Sequence, residues 1–159
     1  MIAGRRDLAR VSKTPGRTQR IHFFAEPHAR VAIVDLPGYG YARVGKAERA
    51  QFAAAVERYL QSRASLRGLV LVLDVRRGPQ VEERMLVEFA GERAVGVIRV
   101  ATKMDKLGRA ERARRLRELD AAGLGPWIPF SATSGEGKEA VIEAILRLGT
   151  PQMENAGKV

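Results

Sequence analysis

The stretch Val95-Gly96-Val97-Ile98-Arg99-Val100-Ala101-Thr102-Lys103-Met104-Asp105 carries the reading of the fold. Its first part, Val95–Val100, is mostly apolar and β-branched, and a polar tetrapeptide follows almost at once. Apolar residues at consecutive positions suit a strand covered by helices on both faces. Outward from it lie four more short runs of this kind: Ile21–Phe24, Val31–Val34, Leu69–Leu73 and Trp127–Phe130. Helical spacing fills most gaps between them. Phe52, Val56, Tyr59 and Leu60 fall at i, i+4, i+7 and i+8. Val81, Met85 and Phe89 repeat every four residues. Arg109–Leu119 predicts a charged helix with Leu116 and Leu119 as its thin apolar side. Val141, Ile142, Ile145 and Leu146 line a last helix, with Ser134 as its N-cap candidate.

The order β-β-α-β-α-β-α-β-α predicts an α/β fold, a three-layer, mostly parallel sheet with helices on both faces. Only the first two strands lack a helix between them, and the loop Ala25–Arg30 is short enough for an antiparallel hairpin. The 159 residues suit one domain, at about 150 residues per domain. That domain is read as 1–148, followed by a polar, frayed tail over 149–159. The chain has no cysteine, which excludes a disulfide scaffold, a Cys-ligated zinc site and thiol catalysis. Its longest aliphatic run, Leu69–Leu73, is far below the ~20 residues that cross a bilayer. No apolar signal segment opens the chain, so a cytoplasmic protein with no membrane span is expected.

The formal charge is +10, from 28 basic and 18 acidic residues. It is uneven. Arg5, Arg6, Arg10, Lys13, Arg17 and Arg20 face a single Asp7 within residues 1–20, a net of +5 and half of the total. A polyanionic partner is one explanation and solubility is another.

In parallel α/β sheets, ligands gather beyond the carboxyl ends of the strands. After the second run comes Asp35-Leu36-Pro37-Gly38. An Asp there can hold Mg²⁺ directly or through water, and Gly38 lets a backbone N–H approach a phosphate. Such a loop can sense a terminal phosphate, and an ordinary Pro-Gly turn reads the same way. After the fourth run comes Thr102-Lys103-Met104-Asp105. A carboxylate here can accept hydrogen bonds from N1–H and the 2-amino group of guanine, a donor pair that adenine lacks. The Lys103 stem can lie over the ring. A solvated charge pair opening a helix is the alternative. After the fifth run, Ser131-Ala132-Thr133 is small enough to let backbone amides reach a base carbonyl. Each signal is weak alone; their order and spacing in one α/β domain make them informative.

With Ser12-Lys13-Thr14-Pro15-Gly16-Arg17-Thr18-Gln19, Asp35-Leu36-Pro37-Gly38-Tyr39-Gly40-Tyr41-Ala42, Asp74-Val75-Arg76-Arg77-Gly78-Pro79 and Thr102-Lys103-Met104-Asp105-Lys106, the chain resembles the EngB (YihA) family of bacterial GTP-binding proteins over about residues 3–148. The resemblance implies a P-loop GTPase of the TRAFAC class, linked to large ribosomal subunit assembly and to normal cell division and septation. It implies a nucleotide-binding set of Gly16, Arg17, Thr18 and Gln19; Asp35, Leu36, Pro37 and Gly38; Thr102, Lys103, Met104 and Asp105; and Phe130, Ser131 and Ala132. Within that set, Thr18 would ligate Mg²⁺ directly and Asp35 through water. Gly38 would sense the γ-phosphate, Lys103 and Asp105 would read guanine, and Ser131 and Ala132 would lie beside the base. GTP or GDP with Mg²⁺, and the large ribosomal subunit or its RNA, are the implied partners. A monomer with no DNA sequence readout is expected.

One departure is large. The family begins with a strand, a G-x-x-x-x-G-K-[ST] loop and a helix, and no Gly-Lys-Ser or Gly-Lys-Thr occurs in this sequence. Without the missing strand, two central sheet edges would be unpaired. The expectation is therefore that the 159-residue chain binds GTP poorly or not at all, and that its start was assigned too late, with a real truncation as the alternative. Tyr39 stands where Ras-type switches carry a water-orienting Gln, so hydrolysis is expected to be slow without a partner or a monovalent cation. A nucleotide-free RNA- or ribosome-binding module is the alternative reading. An ATP-using enzyme is a third, disfavoured by Asp105. The basic segment Arg5–Arg20 coincides with the implied switch I and can face phosphate or ribosomal RNA. Arg76-Arg77 and the arginines of Arg109–Arg117 can also meet RNA, although a wet helix face explains them as simply. His22 and His28 carry no assigned role, and Trp127 reads as core.

Overall fold

The computed structural model describes residues 21–25, 32–36, 54 and 56–149. The chain falls into two compact units with a boundary between Leu66 and Arg67. In the first, β1 (His22–Ala25) and β2 (Ala32–Asp35) pair antiparallel, with His22 opposite Asp35 and Phe24 opposite Ile33. This is the hairpin expected from the short intervening loop. A helix over 56–62 (α1) buries Val56 and Leu60, two of the positions that its spacing singled out. Its Tyr59 ring meets Phe23 edge-on at 6.0 Å.

The second unit has the order β3 (Gly68–Asp74), α2 (Val81–Glu92), β4 (Gly96–Thr102), a 3-10 turn Met104–Lys106, α3 (Arg109–Ala121), β5 (Ile128–Pro129) and α4 (Lys138–Gly149). Its strands form a parallel sheet in the order β3-β4-β5. Parallel neighbours need crossover connections, and α2 and α3 provide them. Strand alternation splits the core in two. Leu71, Leu73 and Ala101 face one side, where Leu86 and Val87 of α2 and Leu116 and Leu119 of α3 cover them. Ile98 and Val100 face the other, under Val141, Ala144, Ile145 and Leu148 of α4. Trp127 is buried in the first core, as expected.

Four expectations need correction. β3 is not buried on both faces among the described residues: Leu69, Leu71 and Leu73 are buried, whereas Val70 is 43% and Val72 62% exposed. The reason is that α4 covers β4 and β5 and reaches β3 at Gly68, where Leu148 lies in the notch made by Gly68 and Gly96. On α2, Val81 and Met85 are exposed, and the inward face is Leu86, Val87 and Ala90. On α4, Leu146 is exposed and Leu148 packs in its place, because 141, 145 and 148 follow the helical turn more closely. Ser134 does not cap α4, which begins four residues later at Lys138; its Oγ accepts from the Glu136 amide in the preceding turn.

Candidate functional site

The carboxyl ends of β3, β4 and β5 bring one group of polar residues together. At the end of β4, the Thr102 hydroxyl donates to the Leu73 carbonyl at 2.8 Å, and Val75 N–H donates to the Thr102 carbonyl at 3.1 Å. These bonds lash the ends of β3 and β4 in register, with Asp74 opposite Thr102. The chain then turns sharply. Lys103 adopts left-handed backbone angles, φ 63° and ψ 32°, a conformation that a non-glycine residue holds only when its surroundings impose it. Met104 drops its side chain into the core, fully buried, and its N–H donates to the Phe130 carbonyl at 3.2 Å. The turn thereby presents Asp105 outward.

Asp105 is held from below. The Ser131 hydroxyl, with no exposed surface, donates to Asp105 Oδ1 at 2.7 Å. The same Ser131 oxygen accepts from the amides of Thr133 and Ser134, each at 3.2 Å. Lys106 Nζ lies 3.2 Å from Asp105 Oδ2. The Ser131 hydrogen bond, helped by Lys106, keeps the Asp105 carboxyl below the ordinary carboxylate range, so it is an anion at neutral pH. Such a group accepts hydrogen bonds and cannot donate. Each oxygen keeps a further lone pair for a ligand with two adjacent donors. Replacing Ser131 by alanine removes the donor to Asp105 and the acceptor for two amides. We expect a loss of about 1–3 kcal/mol, read as a lower Tm in thermal unfolding.

Asp74 lies beside this turn. Its carboxylate accepts from Arg76 Nε at 2.9 Å, Nη2 at 2.6 Å and the Arg76 amide at 3.1 Å, and Lys103 Nζ reaches Oδ2 at 2.9 Å. The Arg76 guanidinium, with Lys103, holds the Asp74 carboxyl far below its usual pKa. A depressed pKa means that this pairing stabilises the fold in full above the unfolded value, about 4, and is lost as pH falls toward the folded one. Stability measured by thermal unfolding should thus decline below about pH 4 more steeply in the unmodified chain than in Asp74→Asn. The sequence assigns Asp74 no role, although it satisfies the positional rule that singled out Asp35 and Asp105: it ends a strand.

The structure thus gathers Thr102, Lys103, Met104, Asp105, Phe130 and Ser131, with Ala132 exposed just beyond. Thr102, Met104, Phe130 and Ser131 are engaged in holding the turn, which leaves the Lys103 side chain half exposed and the Asp105 carboxylate 17% exposed at its rim. Asp35 belongs to the first unit, where it ends β2 with an exposed side chain, followed by Leu36. Gly16, Arg17, Thr18, Gln19, His28, Pro37, Gly38 and Tyr39 lie outside the described residues. Among the described residues there is no group of three or more His, Cys, Asp or Glu that could hold a metal ion. Asp35 alone suits an ion bound through one protein carboxylate together with water and phosphate oxygens, as Mg²⁺ often is. No helix among the described residues is long and apolar enough to cross a membrane.

Comparison with known proteins gives a consistent picture. Residues 1–103 match the family described as 50S ribosome-binding GTPase. The chain is 41% identical over 150 residues to a protein of Exiguobacterium sibiricum described as a probable GTP-binding protein EngB, covering 92% of this chain and 77% of that one. A protein of the same description from Gemmatimonas aurantiaca is 41% identical over 147 residues, covering 91% and 72%. Among solved structures, a probable GTP-binding protein EngB superposes with a TM-score of 0.66 at 22% identity, over 88% of this chain and 85% of that one.

Proposed function

The chain belongs to the EngB family of GTP-binding proteins, and from that premise we propose that the turn after β4 is its guanine reader. The observation that carries this reading is the Ser131–Asp105 hydrogen bond, which fixes the carboxylate at the end of this turn in its charged state. Guanine offers it N1–H and the 2-amino group side by side. Adenine offers a bare N1 acceptor, which a carboxylate repels. Lys103 lies beside Asp105 with half of its side chain exposed, and its stem supplies an apolar surface for the ring.

Residues 1–148 are proposed to act as one G domain, with Gly16–Gln19 and Asp35–Gly38 forming the phosphate and Mg²⁺ side. There Thr18 and Asp35 would hold the ion, which would offset phosphate charge. Binding and slow hydrolysis of GTP would then switch a contact with the large ribosomal subunit, in support of cell division and septation in the bacterial cytoplasm. The ribosomal part is supported by the description of the matching family and by the +10 charge of the chain.

Equilibrium competition tests the base. GTP and GDP should displace a fluorescent guanine nucleotide, ATP should not, and removal of Mg²⁺ should weaken GTP more than guanosine. Displacement by ATP as effective as by GTP would overturn the reading. Co-sedimentation with ribosomal particles at increasing salt tests the partner. Binding that ignores GTP would favour an RNA-binding module that does not use the nucleotide.

A further inference from the structure

Lys103 joins two features that neither guanine recognition nor packing requires of it. Its backbone is in the left-handed region, and its ammonium is drawn back onto Asp74, a residue on another strand. Asp74 is also held by a partner other than Lys103. Arg76 grips both carboxylate oxygens through Nε and Nη2, and the Arg76 amide adds a third bond within the tight turn after β3. The β3–β4 lashing through Thr102 and Val75 sets the height of Asp74 relative to the turn. The carboxylate is mostly buried, with 15% of its side chain exposed, whereas the Lys103 side chain is 52% exposed. A ligand can therefore meet Lys103 along its stem while Asp74 stays beneath.

We infer that Asp74 is a positioning residue for guanine binding: its carboxylate anchors the Lys103 ammonium so that the stem is already laid out beside Asp105 when the base arrives. The inference rests on the reading of Lys103 and Asp105 as the guanine site. A free lysine side chain loses rotamer freedom when a ring settles on it, and an anchored one has lost it beforehand. Asp74 then strengthens binding without touching the nucleotide. It contributes to affinity for any purine held at this turn, and it adds nothing to the discrimination made by Asp105.

The test is a double-mutant cycle on the full chain, with Asp74→Ala, Lys103→Ala and both together. GDP and IDP, which differ in the 2-amino group, serve as competitors up to millimolar concentration. Asp74→Ala should weaken GDP and IDP by the same factor, about 5–20-fold for a directly coupled pair. It should leave the GDP-to-IDP ratio unchanged and have no further effect once Lys103 is alanine. Asp74→Asn keeps the side chain's shape and should show the same pattern to a smaller degree, and it carries the test if the alanine variant does not fold. An effect of Asp74→Ala or Asp74→Asn that persists undiminished in the Lys103→Ala background would overturn the inference, as would wild-type affinity in both variants. Asp105→Asn separates the two claims. If it fails to change the GDP-to-IDP ratio, the guanine reading itself is lost and the inference with it.

Discussion

Asp105→Asn should lose at least about 100-fold in affinity for guanine nucleotides while gaining affinity for xanthine nucleotides. The side chain keeps its shape, and its oxygen can still accept from the Ser131 hydroxyl, so the turn remains in place. What changes is the outer edge. A carboxylate that accepted two hydrogen bonds becomes an amide with one acceptor and one donor group. Each hydrogen bond to a charged group contributes about 1.5–3 kcal/mol, and the amide NH₂ now faces the 2-amino group of guanine, donor against donor. Xanthine carries a carbonyl at that position and meets the amide with matched partners. Competition titration with GDP, XDP and IDP reads the change, and thermal unfolding checks the fold. A shift in Tm of no more than about 3 °C, roughly 1 kcal/mol for a chain of this size, is expected. Guanine preference retained in full by the variant would remove Asp105 from the site.

Gly137→Ala should be the most damaging single methyl in the described part of the chain. Gly137 has φ +76°, and a Cβ built there collides with the carbonyl oxygen of Pro129, with the carbonyl carbon only 3.1 Å away. Both clashing atoms are backbone of β5, so no side-chain rotation relieves them. Left-handed geometry costs alanine about 1–2 kcal/mol by itself. Moving the loop off β5 also strains the bonds that seat Ser131, whose N–H donates to the Glu136 carbonyl at 3.0 Å and whose carbonyl accepts from Gly135 at 2.9 Å. We expect a total of about 3–5 kcal/mol, a fall in Tm of roughly 10 °C or more, and a weakened hold on Asp105. Gly123→Ala is the matched control. It has φ +72° with no atom within 4 Å of the added Cβ, so only the backbone term, about 1–2 kcal/mol, should appear. Equal losses in the two variants would show that the contact with Pro129 contributes nothing.

The comparison between sequence and structure turns on which signals are local. The run 95–105 was legible because strand formation depends on β-branched neighbours, and the turn that follows depends on a change to polar residues. Both are properties of a few adjacent positions. The order of strands and helices followed, and with it the parallel sheet. Helix faces were less legible. Val81 and Met85 fit a repeat of four, yet the packed residues of α2 are Leu86, Val87 and Ala90, since the inward face is chosen by the sheet it meets. The exposed Val70 and Val72 make the same point for β3, where burial depends on how far α4 extends.

Within the site, Lys103 and Asp105 were legible as residues that follow a strand, because that rule belongs to parallel α/β sheets in general. Their partners were not. Asp74 is 29 positions from Lys103, and Ser131 is 26 from Asp105. Nothing in local spacing says that they meet. By itself, the amino-acid sequence determined the element types, their order, the α/β class and the residues placed at strand ends, through period and turn chemistry. Only the tertiary structure decided which of those residues are anchors and which face a ligand. That choice depends on the register of β3, β4 and β5, which sets Asp74 under Lys103 and Ser131 under Asp105 across stretches of chain that carry no record of the contact.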